Sequence, residues 1–290
     1  IFYFDTDNEN EKTDFKDTWN KISGYLGKPT YFISLNGVAL FKDKINFNIS
    51  SRGKAIIDIS IKVTSQAVHS GDASGVIPDP NRILRKIMSN IEDSDNGNIL
   101  ISDLNTNIPS AHYKLAYEFV NKYKNKAIYG LNENDEYSFR DLFEMYLNQT
   151  WKTKISSVSI EGLPNTNNAG NVVHEGVNLK IVMYIPPNLS LTNAKNTINS
   201  YFNNMICPYN CKLNVLTQIQ QGNFLSSQQL IDLQKKLNNC LTSRNSYELT
   251  GCPDNISNLS FLEEMYPDSN SIISGINIPT TNPGVGDENL

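Results

Sequence analysis

The sequence predicts an α/β domain that is interrupted by a ferredoxin-like α+β domain. An amphipathic helix and a short apolar strand within residues 1–52 are typical of an α/β unit with a buried sheet. Over residues 53–218 the order becomes strand, helix, strand, strand, helix, strand, which is the split βαβ order of a ferredoxin-like domain. Patterns of the α/β type return over residues 219–290. We therefore expect the ferredoxin-like domain to be inserted between two parts of one α/β domain.

The composition favours a folded, soluble protein. The 290 residues are 39% hydrophobic, which is enough for one large core or two modest ones. The net charge of −5 gives no electrostatic basis for binding nucleic acid, and no apolar run approaches the ~18 residues that span a bilayer. We expect neither nucleic acid nor a membrane as a partner. We also expect a cytoplasmic location, with secretion left open.

The first α/β part begins with a capped helix. Asp14 is the expected cap, and the helix ends near Tyr25, because Phe15 and Trp19 recur on one helical face. The apolar run 30–35 lies between turn signals and predicts a buried strand.

The ferredoxin-like domain is predicted from one alternating strand and the elements after it. Between Ala55 and Thr64, one set of alternate positions is wholly apolar and the other is mainly polar, as expected for a sheet with one covered face. Residues 94–148 contain helical pieces, so we place a helical insertion there. The other elements are a helix, two strands, a helix and a strand, over residues 81–91, 151–162, 177–185, 192–205 and 211–218.

The second α/β part is predicted from the pattern after residue 218. Leucines recur at helical spacing over residues 226–241, which predicts an amphipathic helix. A shorter helix is expected over residues 259–265 and a strand over residues 271–278.

A run of small residues after the alternating strand carries a histidine. Ser70, Gly71 and Ala73 remove side-chain bulk around His69, and glycine allows a close approach of the backbone to a ligand or another chain. Two interpretations are open at this point. His69 is either a surface histidine on a tight turn or a histidine that is presented to chemistry.

The cysteines also leave two alternatives. The chain has four cysteines and three histidines, which is little material for a Cys/His metal cluster. Either all four cysteines are reduced structural thiols, or Cys207 and Cys211 form a disulfide, which requires an oxidising compartment.

Several stretches carry a resemblance to a known family. The chain resembles the dizinc metallopeptidases of the carnosinase and aminoacylase type, metallopeptidase family twenty, which include acetylornithine deacetylase and succinyl-diaminopimelate desuccinylase. The resemblance implies a catalytic α/β domain over residues 1–52 and 219–290, and a lid that also serves as a dimerisation domain over residues 53–218. The matching stretches are His69-Ser70-Gly71 and the runs 33–37, 51–53, 147–151, 169–173 and 180–187.

The family resemblance implies zinc as the cofactor and the hydrolysis of peptide or N-acyl amide bonds. Such chemistry needs two zinc ions, a bridging carboxylate and a glutamate that takes a proton from the attacking water. It also implies a homodimer through the lid, with a peptide or small-molecule ligand. The family's His-x-Asp metal motif and bridging aspartate would lie upstream of Ile1, so we expect an N-terminally truncated member.

The resemblance places the catalytic and metal positions on residues that depart from the family pattern. Asn8 stands at the general-base position, and an amide cannot accept that proton. Glu9 follows as a possible metal ligand. Asn36 stands at the position of a ligand aspartate and offers only a neutral oxygen, and Gly284 stands at the position of a ligand histidine and offers no ligand atom. No histidine follows His174 in the sequence.

On the substrate side the resemblance is mixed. His69 and Asn171 match lid residues that approach the scissile carbonyl and the substrate, and in related dimers this histidine enters the partner's site. Tyr184 stands where the family has an arginine that grips a substrate carboxylate, so bidentate recognition would be lost.

These residues predict a catalytically degenerate pseudo-peptidase with a binding or structural role, and they argue against zinc binding by this chain. One alternative is an active dizinc peptidase with substitute ligands. A small shift in register would make Asp7 and Glu9, or Glu9 and Glu11, the working carboxylates. A further alternative is a ferredoxin-like module that binds a small ligand or a partner.

Overall fold

The computed structural model describes residues 14–128, 131, 136–205, 211–241 and 246–277. In chain order the helices are α1 (Asp14–Leu26), α2 (Ser70–Ala73), α3 (Pro80–Ile91), α4 (Ser110–Tyr123), α5 (Phe139–Thr150), α6 (Leu191–Asn203), α7 (Ser227–Cys240) and α8 (Ser257–Met265). The strands are β1 (Tyr31–Val38), β2 (Lys44–Ser51), β3 (Gly53–Lys62), β4 (Val68–His69), β5 (Lys154–Glu161), β6 (Val172–Val173), β7 (Gly176–Ile185), β8 (Lys212–Gln220), β9 (Asn223–Phe224), β10 (Ser246–Cys252) and β11 (Asn270–Asn277).

The chain forms two compact units. The main unit consists of three chain segments, Ile1–Arg52, Ile108–Trp151 and Gly222–Leu290. The lid unit consists of two segments, Gly53–Asn107 and Lys152–Gln221. Of the helices that the structure describes, none is long and apolar enough to cross a membrane.

The lid unit confirms the predicted ferredoxin-like domain. Its four strands are antiparallel in the order β5-β7-β3-β8, which is the order that the split βαβ arrangement gives. One face of β3 is buried at every second residue, including Ile57, Ile59 and Ile61. These side chains form one hydrophobic core with the apolar faces of α3 and α6, so both helices cover the same side of the sheet. The alternation in the sequence therefore identified the covered face correctly.

The main unit has a mixed sheet in the order β1-β11-β2-β10, with the short β9 paired to β2. Strands β1 and β11 are parallel, as are β2 and β10, while β11 and β2 are antiparallel. The sequence did not predict β2 or β10. In β2 the buried positions include Asn46 and Asn48, which hide the usual apolar pattern. The Asn48 amide nitrogen donates to Thr250 Oγ1 at 2.7 Å and to the Val38 carbonyl at 3.3 Å, which offsets the cost of its burial.

The predicted helical insertion at about residues 94–148 was wrongly assigned to the lid from residue 108 onwards, whereas residues 94–107 do belong to the lid unit. Its helices, α4 and α5, belong to the main unit. The reason is the direction of their apolar faces: Phe119 and Tyr146 pack in one cluster with Phe41 and Phe224 of the main unit. In addition, the backbone nitrogen of Gly251 in β10 donates to the Tyr146 hydroxyl at 2.9 Å.

Two polar clusters join the three segments of the main unit. At the beginning of β2 and β10, Lys44 and Lys122 donate to Oε1 of the partly buried Glu248 at 3.0 and 2.8 Å, and the Tyr123 hydroxyl donates to the same oxygen. Hydrogen bonds from these groups lower the pKa of Glu248 in spite of its burial, which acts to raise it.

The second cluster lies at the opposite ends of the same two strands. The guanidinium of buried Arg52 donates to the Pro253 carbonyl at 2.7 Å through Nε and to the Asn148 carbonyl at 3.0 Å. The Asn255 amide donates back to the Arg52 carbonyl at 2.7 Å. Each cluster therefore contacts all three segments.

The structure also distinguishes among the cysteines. Cys211 is disulfide-bonded, whereas Cys240 and Cys252 are free, and Cys207 lies outside the described residues. The expectation of four reduced thiols is therefore wrong for Cys211. Burial raises the pKa of the Cys252 thiol to about 12, so this side chain stays protonated at neutral pH.

The division of the chain into two units predicts that the lid unit folds on its own. Thr153 donates through its hydroxyl to the Leu104 carbonyl, so the two lid segments lie close together where the main-unit segment 108–151 departs. Joining residues 53–107 to 152–221 with a short Gly/Ser linker should give a soluble protein with cooperative urea unfolding. The control is the continuous fragment 53–221, which would expose the apolar faces of α4 and α5 and should aggregate or bind a hydrophobic dye. If the linked lid does not unfold cooperatively, it is not an independent unit.

Candidate functional site

The turn that carries His69 is held against a second loop of the lid unit. Strand β4 pairs antiparallel with β6, so that His69 lies opposite Val172. The Ser70 backbone nitrogen donates to the Asn171 carbonyl at 2.8 Å. This short ladder places His69 and Asn171, which are far apart in sequence, next to each other, and both are exposed. The structure thus brings together two of the predicted ligand-contacting residues.

The imidazole of His69 caps α2. Its Nδ1 atom accepts a hydrogen bond from the Gly71 backbone nitrogen at 3.2 Å. A ring nitrogen that accepts a hydrogen bond carries no proton, so the neutral ring has its proton on Nε2. The exposed side chain therefore offers an N–H donor, and the nearby Asn171 amide can both donate and accept.

Tyr184 lies in β7 of the lid sheet, where its register neighbours are Lys54 of β3 and Lys154 of β5. The side chain is partly exposed. A phenol offers one hydroxyl group in place of the two parallel N–H donors of an arginine. The Lys154 ammonium group donates to the Gly97 carbonyl at 2.7 Å and the Asn98 side chain at 3.1 Å.

Of the predicted general-base and metal positions, only Asn36 lies within the described residues. Asn36 is exposed at an irregularity in the pairing of β1 with β11, and its backbone nitrogen donates to Ser34 Oγ at 3.4 Å. Asn8, Glu9 and Gly284 lie outside the described residues. Within the ranges that the structure does describe, no three His, Cys, Asp or Glu side chains are grouped as a metal site requires. A neutral, exposed amide is a poor zinc ligand, so Asn36 does not fit the position of a ligand carboxylate.

A second histidine, which the sequence did not single out, lies inside the main unit. His112 of α4 is 2% exposed, and its Nε2 is 2.7 Å from the Leu225 carbonyl oxygen. The ring packs edge-on against Trp151 and Phe224. Burial lowers the pKa of His112, an effect that the hydrogen bond to Leu225 only partly offsets. The small cavity beside the ring is lined by Ile49, Ser50, Leu115, Ala116, Tyr146, Trp151, Leu249 and Gly251, none of which is charged.

The chain matches one protein family by sequence. A family model described as a peptidase dimerisation domain matches residues 52–209, which is more than half of the chain. No curated protein sequence matches the chain.

Solved structures share the fold over nearly the whole chain. The di-peptidase Dug1p from Saccharomyces cerevisiae is 15% identical with a TM-score of 0.65, and the match covers 98% of this chain and 58% of that one. Human carnosine dipeptidase 1 is 15% identical with a TM-score of 0.70, covering 94% of this chain and 58% of that one. An M20 family metallo-carboxypeptidase from Sulfolobus solfataricus is 13% identical with a TM-score of 0.67, covering 94% and 62%. The chain thus spans less than two thirds of the length of each structure.

The burial of His112 predicts a specific dependence of stability on pH. Below about pH 6.5 the ring of His112 binds a proton in the unfolded chain, whereas its lowered pKa keeps it neutral in the native state. The free energy of unfolding should therefore fall as the pH falls. The slope from this one group is at most about 1.4 kcal/mol per pH unit. Urea unfolding of the His112→Gln variant should lose this component between about pH 5 and 7. His174→Gln, at a half-exposed position, serves as the control. An unchanged pH slope in His112→Gln would contradict the assignment.

Proposed function

Because this chain belongs to the M20 peptidase family, whose dimerisation domain it contains, we propose that it is a catalytically degenerate relative of the exopeptidases and deacylases. It acts by binding a ligand with a peptide or N-acyl carbonyl group, and it works as a homodimer through the lid unit. Zinc is the cofactor expected of the family, and the side chains of the lid unit would bind the ligand without a metal.

The proposal rests mainly on the contrast between the metal positions and the ligand positions. Asn8, Asn36 and Gly284 stand where the resemblance implies a general base and two metal ligands, and none of them supplies a carboxylate or an imidazole. By comparison, His69 and Asn171 keep residue types that recognise a carbonyl group. The short ladder between β4 and β6 supports this, since it holds the two residues together.

The chemistry of the lid narrows the class of ligand. The Nε2–H of His69 and the Asn171 amide are both hydrogen-bond donors to a carbonyl oxygen. Tyr184 stands in place of the bidentate arginine. A free carboxylate on the ligand would therefore form fewer hydrogen bonds, and bind less tightly, than it does to the arginine of the family. A neutral acyl-peptide therefore fits these groups better than a free amino acid.

Loss of the His69 side chain should weaken binding of such a ligand. The probe is an N-acetyl dipeptide amide, titrated into isotopically labelled full-length chain and followed by NMR shifts. Removing one hydrogen bond in His69→Ala should weaken the affinity about tenfold. His174→Ala is the matched control, because it removes a partly exposed lid imidazole after β6. Equal affinities of the wild type and His69→Ala, or no binding by the wild type, would contradict the proposal.

The homodimer is supported by the edge of the lid sheet. Strand β5 is an outer strand, and its Val158 and Ile160 side chains are 54% and 60% exposed. An exposed edge with apolar side chains is the type of surface on which a second strand pairs. Two copies related by a two-fold axis would join their β5 strands into one sheet.

Charges on this edge should dissociate the dimer. The double variant Val158→Lys/Ile160→Lys places like charges opposite one another across a two-fold axis, so sedimentation should show a monomer where the wild type is a dimer. The control is Leu216→Lys, at a 61% exposed position on β8, the other edge strand. A dimer that survives in the double variant, or dissociates only in the control, would show that β5 is not the interface.

A further inference from the structure

We infer that the Gly71 backbone makes His69 a dedicated hydrogen-bond donor, so that the lid recognises acceptor oxygens and its histidine does not serve as a base or a metal ligand. This deepens the proposed function and rests on it. Gly71 is a positioning residue in this account, because it acts through the imidazole.

A neutral imidazole can accept a hydrogen bond at only one of its two ring nitrogens. Only one ring nitrogen has a lone pair, and in His69 this nitrogen is Nδ1, which accepts from the Gly71 N–H at 3.2 Å. The other nitrogen, Nε2, then carries the proton and points away from this contact. A carbonyl, carboxylate or hydroxyl oxygen can accept from it, whereas a group that has only N–H donors, such as an ammonium, cannot bind to it.

Two backbone hydrogen bonds fix the chain around the Gly71 N–H. The Ser70 nitrogen donates to the Asn171 carbonyl at 2.8 Å, and the Ser74 nitrogen donates to the Ser70 carbonyl at 2.9 Å. Gly71 lies between these two hydrogen bonds. Its N–H direction is therefore determined by the ladder and the turn, and it does not depend on a side chain that could rotate.

Glycine also favours this contact sterically. A Cβ atom on residue 71 would lie 3.2 Å from Nδ1 and 3.3 Å from Cε1 of His69, which is tighter than ordinary contact. A side chain at residue 71 would therefore push the ring away from the backbone nitrogen by a few tenths of an ångström. The His-Ser-Gly run thus specifies an imidazole together with its partner.

The hydrogen bond from Gly71 disfavours two other roles for His69, as a general base and as a metal ligand. To accept a proton or a metal ion at Nε2, the neutral ring would first move its proton to Nδ1, which would break the hydrogen bond from Gly71. The loss of one such bond disfavours that tautomer about fivefold. The turn therefore selects the donor form before any ligand arrives.

NMR of the full-length chain tests the inference directly. In the neutral state of the ring, the wild type should show a nitrogen–nitrogen scalar coupling across the hydrogen bond from Gly71 N to His69 Nδ1, with the ring proton on Nε2. Gly71→Pro removes the N–H, so the Nδ1–H tautomer should become about fivefold more populated relative to the Nε2–H form. Asp72→Asn keeps the donor and removes the nearest charge of the turn, and it should leave both signals unchanged. Absence of the coupling in the wild type, or an unchanged tautomer ratio in Gly71→Pro, overturns the inference.

The same samples separate this inference from the proposed function. If the acyl-peptide does not bind to the wild type but the coupling is present, the proposed function fails and the tautomer assignment stands. If the ligand binds but Nδ1 carries the proton, the function stands and the role of Gly71 is wrong.

Discussion

The main unit depends on joining three chain segments that are separated by the two parts of the lid. Two polar side chains do this at opposite ends of β2 and β10: Glu248 is partly buried and Arg52 is buried. Glu248 accepts from lysines of the first and second segments at one end, and Arg52 donates to carbonyl groups of the second and third segments at the other. A buried charge without its partners costs several kcal/mol, so the cluster of the buried Arg52 is favourable only when all three segments are in place. We expect this requirement to couple the folding of the three segments.

The lid unit is stabilised in a simpler way, by strand pairing and one apolar core. Its central strand β3 pairs over its whole length with β7 and β8, and one repeating pattern of isoleucines fills the core. Such a sheet needs no buried charge. The turn of β4 and the loop of β6, which carry His69 and Asn171, belong to the same unit. The groups that we propose to contact the ligand thus lie in the unit with the simpler core.

Sequence patterns predicted the lid better than the main unit for physical reasons. The strand β3 alternates between apolar and mainly polar residues, so its covered face was evident. In β2 the inward positions include Asn46, Asn48 and Ser50, which are buried through side-chain contacts that a single strand cannot reveal. The helices α4 and α5 were recognised as helices, but an apolar face does not indicate which of two cores it joins. His69 was recognised from its small neighbours, whereas the hydrogen bond from Gly71 depends on a backbone direction that no residue type encodes.

We propose that this member of the M20 family keeps the groups that recognise a carbonyl but not those that hydrolyse an amide. The most direct measurement is the zinc stoichiometry of the full-length chain together with its turnover of an N-acetyl dipeptide in the presence of added zinc. We expect binding of the peptide with less than one zinc per chain and no turnover. Two zinc ions per chain with hydrolysis that is lost in His69→Ala would contradict the proposal.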